Sequence, residues 1–181
     1  MARPGDTKSR IQAVARELFL AKGVQKTSLQ DIADRLGITK PALYYHFSSR
    51  EELVRSIIEP LFQDGEAYVS RLEARTELDA VELLREYFDY HRRHREIVML
   101  LLRESVALDD LGLVDWAFSS RDRLAVLLVG ENPTLDQAAR ATIALGGVAD
   151  CAVQFENEPA ELVRAAAVRA ACDALGLTSD G

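Results

Sequence analysis

Between Thr39 and His46 the chain reads Thr39-Lys40-Pro41-Ala42-Leu43-Tyr44-Tyr45-His46. An ammonium group, a bare methyl, two phenols and an imidazole follow one another closely. No nucleophile stands beside a base here, and no phosphate loop, nucleophile elbow or paired metal-ligand motif occurs elsewhere, so the residues point to contact rather than catalysis. The contact chemistry fits a DNA groove. Lys40 can donate to the acceptors of guanine, Ala42 can meet a thymine methyl, and Pro41 adds apolar surface.

Such side chains read bases only when an element holds them out, and the surrounding residues provide for one. Leu29, Ile32, Ala33 and Leu36 recur at helical spacing. Ser28 and Asp31 have capping-box spacing with Asp in place of the usual Glu or Gln. Gly37 ends this helix, Ile38 plugs the turn, and Thr39 caps a second helix with Pro41 in its first turn. Leu43 and Phe47, four apart, point inward together. Two short helices about a glycine turn make a helix-turn-helix. The N-terminal residues of its second helix face bases, so Lys40 and Ala42 are the base-edge candidates, with Pro41 in apolar contact and Thr39, the cap, also on the DNA-facing turn. Thr27 and Ser28 open the first helix, where hydroxyls and free N–H groups can hold a phosphate.

The ordered pattern Thr27-Ser28-x-x-Asp31-Ile32-Ala33-x-x-Leu36-Gly37-Ile38-x-x-x-x-Leu43-Tyr44-Tyr45-His46-Phe47-x-Ser49-Arg50-Glu51-Glu52-Leu53 closely resembles the DNA-binding region of the tetracycline-repressor (TetR) family. The resemblance covers about residues 8 to 58; beyond it the likeness is only in length and helical character. It implies that Tyr44 and His46 donate to phosphates, that Tyr45 lies at the groove surface, and that Arg50 grips the backbone.

Charge is divided to match. Residues 1–55 hold ten Lys and Arg against six Asp and Glu, a net of +4, whereas residues 56–181 carry −11. All four lysines lie in the first 40 residues. One end is fitted to a polyanion and the other is not. The longest apolar runs, 97–102 and 124–129, fall far short of a membrane span of ~20 residues, and residues 1–10 lack a signal-peptide pattern. The expectation is a cytoplasmic protein without a membrane partner. Cys151 and Cys172 lack Cys-x-x-Cys spacing and read as small buried hydrophobes, with no metal or other cofactor implied.

The rest of the chain is helical by periodicity. A first helix capped by Asp6 or Thr7 carries Ile11, Val14, Ala15, Leu18 and Phe19 to Gly23, after a loose tail broken at Pro4-Gly5. Ser49 and Glu52 open a long helix that Pro60 can kink and that reaches about Leu72 or Arg75. Further helices are expected over 77–95, ending in a solvated Arg92, Arg93 and Arg95 cluster, and over 97–108, apolar nearly all round. A turn at Asp109–Gly112 follows, then helices over 113–129, 134–155 and 159–175. The last two are rich in Ala and Gly and suit close approach of helices.

The fold expected is therefore all-α: a three-helix helix-turn-helix domain over residues 1–50 and a larger helical effector-binding and dimerisation domain over 51–181. The TetR resemblance implies a homodimer through the last two helices and a small-molecule pocket in the second domain. Phe62, Tyr87, Tyr90, His91, Trp116, Phe118 and Phe155, with His94, are the aromatic and polar candidates for that pocket. The function expected is a non-enzymatic transcriptional regulator, a repressor that an unidentified effector releases from a palindromic double-stranded operator. The fourth helix, with Pro60 and Gly65, would carry the change. The alternative is a DNA-binding protein without an effector, or one controlled by a protein partner.

Overall fold

The computed structural model describes residues 4–103 and 113–177, and all regular structure among them is α-helical. The turn expected at Asp109–Gly112 and the end of the helix expected to reach Leu108 lie outside the described residues. The described residues fall into two compact units. One is drawn from Met1–Phe62 and Glu96–Leu113, the other from Gln63–Arg95 and Val114–Gly181.

The first unit contains α1 (Pro4–Lys22), α2 (Leu29–Leu36), α3 (Lys40–His46), the start of α4 (Arg50–Glu73), and α6 (Arg95–Arg103) from Glu96 onward. Contrary to the expected loose tail, α1 begins at Pro4. Proline is tolerated in a first turn because its missing N–H would have no helical partner there. The helix ends as expected, with Gly23 at φ 91°. Ile11, Ala15 and Phe19 of α1 are buried, as are Ile32 and Ala33 of α2, Leu43 of α3, and Leu53, Val54, Ile57 and Ile58 of α4. Gln12 Nε2 donates to the Ser56 carbonyl at 3.2 Å and hydroxyl at 3.0 Å, tying α1 to α4. Glu52 accepts from the N–H and hydroxyl of Ser48, while Ser49 caps the Glu52 N–H. Pro60 sits inside α4 without ending it.

Helix α6 is not apolar all round. Ile97 and Leu100 are buried, but Leu102 is 68% exposed. Its polar residues join α1: Arg103 Nη1 donates to the Leu20 carbonyl at 3.0 Å, and Glu96 lies 3.5 Å from Arg16.

The second unit contains the rest of α4 with α5 (Ala80–Arg93), α7 (Leu113–Val129), α8 (Leu135–Gln154) and α9 (Ala160–Leu175). Tyr68, Leu72, Leu83, Leu84, Phe88, Leu124, Leu145, Val148 and Val168 share its core. Helix α5 starts three residues later than periodicity indicates, because the Asp79 carboxylate accepts from the Val81 N–H at 2.8 Å and caps it. Gly65 is a point of close approach within this unit. A methyl there would lie 2.6 Å from two ring carbons of Trp116 and 2.8 Å from the Tyr90 hydroxyl. The arginines at the end of α5 are not simply solvated. Arg92 donates to the carbonyls of Ala152, Phe155, Glu156 and Glu158, and Arg95 to that of Val153. The C-terminal turn of α8 leaves carbonyls without helical partners, and these two guanidinium groups take them up.

Candidate nucleic-acid interface

The exposed surface of α3 depends on how α2 is finished at each end. Ser28 is the N-cap of α2: its hydroxyl accepts from the Asp31 N–H at 3.1 Å, and Asp31 Oδ2 accepts from the Ser28 N–H at 2.8 Å. Lys22 Nζ approaches the same carboxylate at 3.2 Å. The Ser28 N–H and hydroxyl, then Lys22, hold the Asp31 carboxyl at about 2, below its ordinary 3.8. At the other end Gly37 takes φ 66°, and the Ile38 N–H bonds back to the Ala33 carbonyl at 3.0 Å. A residue with a Cβ is disfavoured in that left-handed conformation, which explains the glycine.

Thr39 then caps α3, accepting from the Ala42 N–H at 3.3 Å. Leu43 and Phe47 are buried. At 100° per residue, this anchoring directs Pro41 and Tyr45 to the opposite face, with Ala42 and Tyr44 on its flanks. Lys40, Pro41, Ala42, Tyr44 and Tyr45 are all exposed, Tyr45 to 84%. Lys40 Nζ lies 5.9 Å from the Tyr44 ring centroid, a cation–π arrangement that steadies the ammonium at the rim of the helix. His46 is half-buried, with its ring edge-on to Tyr45 at 5.3 Å.

Three expected contacts change on inspection of the geometry. Thr27 is buried to 1% exposure, and its hydroxyl donates to the Gly23 carbonyl at 2.8 Å. It closes the α1–α2 turn and does not offer its hydroxyl to a phosphate. Ser28 is exposed, but the Asp31 carboxylate already accepts from both its N–H and its hydroxyl. A phosphate at that helix start would meet a negative charge. Arg50 donates to the Gln25 carbonyl at 3.3 Å and, at 3.5 Å, to that of Val24. It braces the α1–α2 loop from the start of α4. The Ser28–Asp31 bonding is the capping box the spacing indicates, and Thr27 meets a carbonyl four residues back, whereas the Arg50 role depends on segments some 25 residues apart brought together by the fold. Lys8 was also missed as an individual: it is exposed beside α3, its Nζ 5.4 Å from the Phe47 ring centroid. The concentration of lysines in the first 40 residues was its only signal.

This is the geometry of a helix-turn-helix with an unobstructed second helix. Residues 11–57 match the model of bacterial regulatory proteins, tetR family. Through this segment the chain is similar to the tetR family. Among curated tetR-like relatives, a probable HTH-type transcriptional regulator, ArpR of Pseudomonas putida, is 32% identical over 80 residues, covering 44% of this chain and 38% of that one. The HTH-type transcriptional repressor KstR2 of Rhodococcus jostii is 36% identical over 73 residues, covering 38% and 36%. The chain thus spans under two fifths of the length of these relatives. The fold likeness extends further. A transcriptional regulator from Aquifex aeolicus aligns with a TM-score of 0.72 at 24% identity, over 91% of this chain and 96% of that one. The ketosteroid transcriptional regulator KstR2 of Mycobacterium tuberculosis aligns with a TM-score of 0.75 at 18% identity, over 96% and 95%. The tetR-type arrangement of an N-terminal helix-turn-helix and a C-terminal helical region therefore holds for the whole described chain.

The expected effector residues do not form one group. Phe62 belongs to the first unit. Phe118 and Phe155 are exposed, the latter as the C-cap of α8. Tyr87 and Tyr90 are buried, with His91 half-buried between them, its ring centroid 4.3 Å and 5.0 Å from theirs. Trp116 is half-buried against Gly65. His94 pairs with Asp64 at 2.9 Å. Among the described residues no cluster of His, Cys, Asp and Glu could hold a metal, and no helix is long and apolar enough to cross a membrane.

Proposed function

We propose that the chain is a sequence-specific DNA-binding transcriptional regulator, a repressor that a small-molecule effector releases from a palindromic operator. The observation that carries this reading is the exposed surface of α3, where Pro41, Ala42 and Tyr45 face away from the Leu43 and Phe47 anchor and Lys40 stands exposed in the first turn. Lys40 and Ala42 read base edges, Tyr44, Tyr45 and His46 meet the backbone, and Thr39 holds the N-terminal turn. Arg50 braces the loop that leads into α2.

A second copy of the chain docks on α8 and α9. Ile143 on α8 and Leu162 on α9 are 64% and 68% exposed. Gly147 has open space where a side chain would stand, and Ala165, Ala166 and Ala170 are exposed on α9. Small residues among exposed aliphatic ones permit helices to approach closely, and a two-fold pair of α3 helices matches a palindrome. Helix α4, which supplies residues to both units, carries the effector's influence. An effector that favours one spacing of the two α3 helices shifts operator affinity by its differential binding, typically ~1–3 kcal/mol.

The test is selection of bound DNA from a random pool by the full chain at near-physiological salt. A palindrome with half-sites a helical turn or more apart is expected. Recovery of no preferred sequence, with binding that vanishes as salt rises, would leave only phosphate contact and overturn the reading.

A further inference from the structure

We propose that Arg121 is the recognition point for the carboxylate of an organic acid, which names the class of effector for the second unit. This rests on the reading above that a small molecule controls the protein. All the residues involved belong to the second unit.

Among the described residues Arg121 lacks the carboxylate partners that Arg123 and Arg164 of the same unit have. Arg123 bonds Glu66 and Glu73, and Arg164 bonds Asp89 and Glu161. Arg121 is half-buried and, among the described residues, donates only to the Thr142 carbonyl, from Nη2 at 3.0 Å. Its Nε is buried without a partner. An N–H left so on a charged group is costly, and a carboxylate is the ligand that satisfies both the charge and the planar fork.

The position is built. Gly146 on α8 lacks the Cβ that would collide with Arg121 Nη2, so the helix opens where the guanidinium lies. On α5, His91 Nδ1 lies 3.0 Å from the Tyr87 carbonyl. A carbonyl only accepts, so Nδ1 carries the hydrogen and Nε2 is left as an acceptor. Burial holds this imidazole at about 4, and it is neutral near pH 7. The charges that act on both Tyr87 and His91 are those of Arg121 and the exposed Asp150. A single guanidinium suits a monoanion better than a phosphate dianion.

The probes are benzoate and octanoate, each compared with its uncharged amide, titrated calorimetrically into the full chain at pH 7.5. We expect at least one acid to bind about tenfold or more tighter than its amide, equivalent to about 1.4 kcal/mol. Arg121→Met should abolish that preference and Arg121→Lys restore part of it. Gly146→Ala, which favours helix and pushes the guanidinium aside, should weaken the acid while leaving the helical signal intact. Equal binding of acids and amides, binding of neither acid, or an acid preference that survives Arg121→Met would each overturn the proposal. The random-pool selection is read separately. A palindrome without acid binding sinks this inference alone, and acid binding without sequence-specific DNA sinks the regulator reading alone.

Discussion

Lys40 and Thr27 sit at opposite extremes of what a sequence can reveal about single residues. Lys40 follows an N-cap and precedes a proline, so its place on the first turn of α3 is set locally, and the structure leaves it exposed. Lys40→Ala is expected to change which base is preferred at one position of each half-site, worth ~1–3 kcal/mol there, measured by repeating the DNA selection with the variant. Thr27 was legible as a hydroxyl near a helix start. Its burial was not, because the carbonyl of Gly23 reaches it only once α1 has ended and the chain has turned. Thr27→Val should lower stability by about 1 kcal/mol in urea titration while preserving base preference.

Two titrating groups carry signs that can be checked. The Asp31 carboxyl is held at about 2 against 3.8, so the stability it contributes is present above 3.8 and is lost as pH falls through about 2. For His91 burial lowers the value from 6.5 to about 4. The unfolded chain therefore takes this proton first, and stability falls as pH drops from 6.5 toward 4. Urea midpoints measured across pH should show a flatter slope between those values in His91→Gln and a flatter slope below 3.8 in Asp31→Asn.

At the scale of elements, periodicity and caps carried most of the fold. Ser28, Thr39 and Thr134 each cap the helix expected after them, and Gly37 and Gly176 each close a helix in the left-handed conformation. Misjudged elements were those shaped by distant partners. Helix α6 looked wholly apolar because Leu101 and Leu102 continue the run, yet its ends are bound by Arg16 and the Leu20 carbonyl and Leu102 faces solvent. The arginines after α5 looked like a solvated end because their carbonyl partners lie some sixty positions on. Gly65 reads as a place of movement in α4, whereas in the fold Trp116 packs where its side chain would be. Gly65→Ala should therefore destabilise despite its gain in helix propensity. Displacing a large ring costs ~1–3 kcal/mol, or a fall of several degrees in Tm. An unchanged or raised Tm would show that Trp116 moves aside freely.

For the whole molecule, the division of charge and the Ala- and Gly-rich final helices were legible as composition. The exposure of Ile143 and Leu162 needed the fold, since helical spacing alone does not say which apolar face meets solvent. The double variant Ile143→Glu and Leu162→Glu should be monomeric by sedimentation, retain its helical content, and bind one half-site far more weakly than the native chain binds two. In the proposed complex two copies present α3 to two successive major grooves. A hydroxyl-radical footprint of the full chain on the selected DNA tests this directly. Two protected half-sites are expected, related by two-fold symmetry and lying on one face of the duplex about one turn or more apart. A single protected patch without symmetry, or uniform protection along the duplex, would contradict it.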